Sequence, residues 1–177
     1  LDVVLSLLPA LAVGVWMLGI RALVVTLISV ASAVAAEWLY SLVTKTRNTV
    51  VDGSALVTGM LLAMTLPATV PYWLVIVGAA FAIIFVKALC GGLGQNIFNP
   101  ALAARAFMML IFPVGMTRYY AIGVDGVTAA TPLHHMVMPA LPEESLMDMF
   151  LGICPGSIGE TCALALLLGG AYLVYRK

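Results

Sequence analysis

Six apolar runs carry this chain, and they leave it almost no polar surface. They cover residues 3–19, 22–43, 54–66, 72–89, 101–112 and 158–175. A soluble fold would have to clothe such runs with charged side chains, which make up about a quarter of an ordinary domain. Here they are only 9% of the residues. The solvent for the outer faces is therefore lipid. The expected class is an all-α, polytopic integral membrane protein of about six hydrophobic helices in a single transmembrane domain, residues 1–177. Basic and acidic residues balance at eight each, so nucleic acid finds no electrostatic handle and is not an expected partner.

Run lengths refine this picture. The 22–43 run is long enough to span, whereas 54–66 and 101–112 fall short of the roughly 20 residues a span needs. The first short run is closed by Pro67 and Pro71. The second follows the turn-rich stretch Cys90-Gly91-Gly92-Leu93-Gly94-Gln95-Asn96-Ile97-Phe98-Asn99-Pro100 and stops at Pro113. Short helices at membrane depth line protein-filled or watery interiors, so a discontinuous or re-entrant element is expected between 91 and 112. Pro9 is expected to kink the first run, Arg21 to mark the turn after it, and Tyr72-Trp73 to sit at an interface.

Charge at the run boundaries orients the chain. Basic residues favour the cytoplasmic face, and Lys45/Arg47, Lys87 and Arg176/Lys177 fall on one side if all six runs span. Arg21 and the long segment 113–156 then fall outside, where Arg118 stands against Asp125, Glu143, Glu144 and Asp148. The segment 113–156 is thus an extracytoplasmic loop. Two stretches, Gly53-Ser54 to Thr58 and Gly156-Ser157 to Thr161, share the pattern GS-x-x-x-T ahead of an apolar run and enter from opposite sides. That echo suggests part of an inverted-repeat, transporter-like bundle; the plain alternative is a Ser N-cap used twice. The chain starts at Leu1 without Met and stops just past an apolar run at Lys177, so a fragment truncated at both ends is expected.

Few residues suggest chemistry. His134 and His135 are adjacent and would point to different sides of a helix, a poor metal site. Cys90, Cys154 and Cys162 show no CxxC spacing; no metal ligands and no catalytic residues are expected. The 91–95 stretch lacks nucleotide-loop spacing and reads as close packing or backbone amides facing an anion, with Asn96 and Asn99 as added donors and acceptors. Glu37, Arg105 and Glu160 lie inside apolar runs, where an ionisable group is functional by default; interfacial placement of Glu37 and helix capping by Glu160 are the plain readings. The stretch Asp125-Gly126-Val127-Thr128-Ala129-Ala130-Thr131 combines a turn signal with two hydroxyls beside small residues. On residues alone it is an outer loop with two modifiable threonines.

The same stretch, Asp-Gly-x-Thr-x-Ala-Thr, resembles the flavinylation motif of the NqrB/RnfD family of membrane flavoproteins. Its members serve the Rnf complex and the sodium-pumping NADH:quinone reductase. Three further blocks are similar to that family in the same order: Asp52 to Pro67, Gly91 to Ala101, and Gly156 to Thr161. The Thr128-Ala129-Ala130-Thr131-Pro132 wording is more like the Rnf branch. The resemblance implies an electron-transfer subunit of an ion-translocating ferredoxin:NAD oxidoreductase complex in the bacterial inner membrane. It implies FMN joined through its phosphate to Thr131, with Asp125, Gly126, Thr128 and Ala130 as recognition residues. It also implies partner subunits, a flavin transferase for maturation and a possible second, noncovalent flavin. The rival readings are a cofactor-free transporter or channel for a small solute or ion, and a scaffold subunit.

Overall fold

A computed structural model describes residues 2–45, 52–89, 96, 98–120, 128–129, 146–152 and 155–176. The protein is an all-α membrane protein. Its helices are α1 (Asp2–Leu18), α2 (Ile20–Thr44), α3 (Ser54–Met64), α4 (Tyr72–Phe81), α5 (Pro100–Ile111), α6 (Pro113–Met116), α7 (Leu146–Leu151) and α8 (Ala163–Arg176), and α4 runs on into a π-helical segment, Ala82–Ala88. A two-residue antiparallel pairing, β1 (Tyr119–Tyr120) with β2 (Thr128–Ala129), is the sheet structure among the described residues. Of the described helices, α2 alone is long and apolar enough to cross a membrane by itself. Outward-facing apolar side chains are dense, with Trp16 83%, Val43 79% and Leu110 85% exposed. In water such a surface would be an aggregation hazard; in lipid it is the solvated face.

Cα proximity gathers the chain into two compact units. The first holds Leu1–Leu23, Pro67–Thr69 and Thr117–Lys177. Here α1 and α8 pack antiparallel. Asp2 Oδ1 accepts from Arg176 Nε at 3.0 Å and Tyr172 Oη at 3.4 Å at one end. Gly169 meets the Ser6 backbone midway, and Gly14 lies against the Ile158 carbonyl at the other end. At Gly14 and Gly169 an added Cβ would strike a backbone oxygen. Small residues let backbones approach where no hydrophobic force drives helices together. The exposed Asp2–Arg176 pair adds little stability.

The second unit holds Val24–Leu66 and Val70–Met116. Its centre is α3, buried at Ala55, Thr58, Gly59, Met60, Leu62, Ala63 and Met64. Gly59 admits α2, since a Cβ there would lie 2.8 Å from Val30 Cα. Ser29 Oγ donates to the Gly59 carbonyl at 2.7 Å. Against α5, Phe81 stacks on Phe107 with centroids 3.9 Å apart, and Gly78 faces Met108. Asn99 caps α5 by accepting from the Ala101 amide at 3.0 Å, with Pro100 in the first turn, the arrangement expected of Asn-Pro at a helix start.

Several sequence expectations change. The turn after α1 is Gly19, whose φ of 77 suits a residue without Cβ; Arg21 already lies in the first turn of α2. Pro9 sits inside α1. The last apolar run is helical only from Ala163, and Gly156 to Cys162 form a turn before it. The two GS-x-x-x-T stretches are therefore built differently: Ser54 opens α3, whereas Ser157 lies in a turn. Nor does Ser54 cap its helix, for the N-cap is Gly53 and makes no side-chain cap bond.

Replacing Gly169 by Val should force α8 away from Ser6 and lower stability by about 1–3 kcal/mol, the usual cost of overpacking. Thermal unfolding of the detergent-solubilised protein checks this, and Gly170→Val, where a Cβ meets open space, is the control expected to move the midpoint little.

Candidate functional site

The candidate flavin loop grows out of the β1–β2 pairing. After α6 the chain bends at Thr117 and enters β1, where Tyr119 pairs with Ala129 and Tyr120 with Thr128. Thr128 is the one predicted site residue among those described, and its backbone is held in β2. Asp125, Gly126, Ala130 and Thr131 lie outside the described residues, as do His134, His135, Cys90, Cys154 and the 91–95 stretch. The register places Ala129 opposite Tyr119; Thr131 follows Ala129 by two positions in the sequence.

Two side chains that sequence reading passed over secure the start of β1. Arg21 donates through Nε to the Ala68 carbonyl at 2.9 Å and through Nη2 to the Thr69 carbonyl at 3.2 Å. Thr69 Oγ1 in turn donates to the Arg118 carbonyl, next to β1.

The same unit contains two orphan hydroxyls. Ser157 and Thr161 are 0% and 1% exposed, and Ser157 Oγ and Thr161 Oγ1 have no hydrogen-bond partner among the described residues. Buried hydroxyls without partners cost free energy. They are the groups that polar atoms of a ligand such as FMN would satisfy, so the donor chemistry of this unit fits that cofactor. Glu160, between them, is exposed in the turn rather than inside the helix. Cys162 is a buried free thiol whose Sγ lies 3.9 Å from the Phe150 carbonyl, an ordinary small apolar role.

In the second unit the structure brings two charges together. Lys87 Nζ lies 2.5 Å from Glu37 Oε1 and 2.5 Å from Ser54 Oγ. Both charged residues are 4% exposed. Glu37 is thus buried rather than interfacial, and Lys87 marks no membrane boundary, because its charge is directed at Glu37. The partner lies fifty positions away, and the clue was two opposite charges near the ends of neighbouring apolar runs. Arg105 is half-buried on α5 and has a partner of its own. Lys87 stands on the π segment, a geometry frequent at functional sites.

With the geometry in place, comparison with known proteins adds an independent finding. The sequence profile of the NQR2, RnfD, RnfE family matches residues 1–177. The most similar relatives are each the D component of an ion-translocating complex. For the Na(+)-translocating ferredoxin:NAD(+) oxidoreductase complex of Acetobacterium woodii, the identity is 47% over 181 residues, covering 99% of this chain and 56% of that protein. For the proton-translocating ferredoxin:NAD(+) oxidoreductase complex of Clostridium ljungdahlii, it is 43% over 190 residues, covering 99% and 57%. For the ion-translocating oxidoreductase complex of Halorhodospira halophila, it is 37% over 211 residues, covering 99% and 59%. The chain therefore spans less than two thirds of the length of these relatives.

The buried pair yields a stability prediction. Lys87→Met alone should destabilise by about 3–5 kcal/mol, because Glu37 is left charged and buried. The double variant Lys87→Met with Glu37→Leu should recover most of that loss. A double-mutant cycle on thermal unfolding reads the coupling.

Proposed function

The chain belongs to the NQR2, RnfD, RnfE family, and on that premise we propose that it is an electron-transfer subunit of an ion-translocating Rnf-type ferredoxin:NAD oxidoreductase complex, with FMN held covalently on Thr131. The observation that carries this reading is the similarity to RnfD-type relatives over 99% of the chain, joined to the motif Asp125-Gly126-Val127-Thr128-Ala129-Ala130-Thr131. The two orphan hydroxyls, Ser157 and Thr161, support it as polar partners in the same unit. The protein lies in the bacterial inner membrane with the other subunits of the complex around it, and the motif on the extracytoplasmic side.

Attachment follows from phosphate chemistry. An FMN monoester is a poor phosphoryl donor, so the donor is a flavin dinucleotide bound by a flavin transferase. The Thr131 oxygen attacks the FMN-side phosphorus and an O–P bond forms. The pyrophosphate P–O bond breaks, AMP leaves, and the hydroxyl proton passes to a base on the transferase. Asp125, Gly126, Thr128 and Ala130 shape the loop that the transferase recognises. Once bound, FMN supplies one- and two-electron chemistry that no side chain offers. The protein's own part is to keep the group tethered, present polar partners to it and exclude competing chemistry with its apolar helices.

Thr131→Ala should abolish covalent flavin, whereas Thr128→Ala should leave some. Both are read as ultraviolet fluorescence of the protein's band on a denaturing gel after co-expression with the transferase. A Thr131→Ala band that still fluoresces places the flavin elsewhere. A wild-type band without fluorescence removes the proposal, and ion uptake by vesicles without any redox substrate would favour a cofactor-free transporter.

A further inference from the structure

Three segments far apart in the chain meet at the foot of the β1–β2 pairing, all within the first unit. The first is the opening turn of α2, which supplies Arg21. The second is the loop around Ala68 and Thr69, whose carbonyls accept both guanidinium bonds. The third is Arg118, whose carbonyl accepts from Thr69 Oγ1. Pro67 and Ala68 are buried, so the loop is a fixed frame rather than a free strand of chain. Its carbonyls would otherwise be costly orphans, and Arg21 is suited to two of them at once because its donors are set in a rigid fork.

From these contacts we infer that Arg21 and Thr69 are positioning residues for the acceptor loop: they fix where β1 begins and so set the register that delivers Thr131. The inference rests on the proposed attachment of FMN at Thr131. A two-residue pairing has little stability of its own, and a slip of one residue turns paired side chains to the opposite face. The Thr69–Arg118 bond lies next to the Tyr119↔Ala129 pair and holds the strand against such a slip. Thr131 follows Ala129 by two positions, so a slip at Ala129 would misplace the acceptor oxygen that the transferase has to meet. Neither residue touches the flavin. Both act through the backbone of residues 118–120.

The test uses the full-length subunit in its complex, co-expressed with the flavin transferase, and follows FMN per chain over time by intact mass. Wild type should load fully and Thr131→Ala not at all. Thr69→Val should load about fivefold more slowly, the size expected for one neutral hydrogen bond. Thr69→Ser keeps the donor and should load within about twofold of wild type, a rescue that a packing role would not produce. Arg21→Gln should slow loading in the same way. Hydrogen exchange at the Tyr120 and Thr128 amides should speed up in Thr69→Val and Arg21→Gln, and stay slow in Thr69→Ser. Loading of Thr69→Val at the wild-type rate overturns the inference, and so does Thr69→Ser loading as slowly as Thr69→Val. If Thr69→Val fails to reach the membrane, Arg21→Gln decides by the same measurements. A wild-type chain that takes up no FMN defeats the Thr131 reading itself, and unchanged exchange at these amides in the variants defeats the positioning role on its own.

Discussion

Lipid offers no hydrogen bonds, so every polar group that leaves the water layers has to find its partner inside the protein. That constraint explains most of the specific contacts in this chain. Ser29 gives its hydroxyl to the Gly59 carbonyl and Thr58 to the Ser54 carbonyl. Arg21 directs its guanidinium at two loop carbonyls. Lys87 and Glu37 meet each other, with Ser54 as a further partner for the ammonium. Ser157 and Thr161 stand apart because their hydroxyls have no partner among the described residues.

The Lys87–Glu37 pair shows how backbone geometry serves the same constraint. A π segment is wound wider than an α-helix, so it turns the residues after it out of the α-helical phase. Along Ala82–Ala88 this change of phase accompanies an inward-facing Lys87. The pair joins α2, the π segment and the first residue of α3. Its net contribution to stability is small, since desolvation offsets the attraction, but losing one partner is costly. The pair therefore acts chiefly to specify how these three segments meet.

Much of the helical framework was legible in the sequence because it depends on local signals. The ends of α3 and α5 follow from Pro67, Pro71, Asn99, Pro100 and Pro113, and the apolar runs pointed to the membrane class. The features missed depend on partners far along the chain. Hydropathy is as high at Ala82–Ala88 for a π segment as for an α-helix, so nothing local marked the change. Lys87 looked like a boundary charge because its partner is in another run. The Gly156 to Cys162 turn looked helical because its residues are apolar, yet it sits against the close-packed α1. Of the candidate site, the motif itself was readable as a turn with two hydroxyls. The support under it, through Arg21 and Thr69, was not, since backbone carbonyls leave no mark in a sequence.

The central claim is that Thr131 carries the flavin, and it reduces to one covalent bond at one oxygen. Tandem mass spectrometry of the proteolytic peptide that contains residues 125–131, taken from the protein purified out of its native complex, tests it most directly. The account predicts a peptide heavier by one FMN group, with fragment ions that place the phosphoester on Thr131 and leave Thr128 bare. An unmodified peptide, or a flavin carried on Thr128, would contradict it.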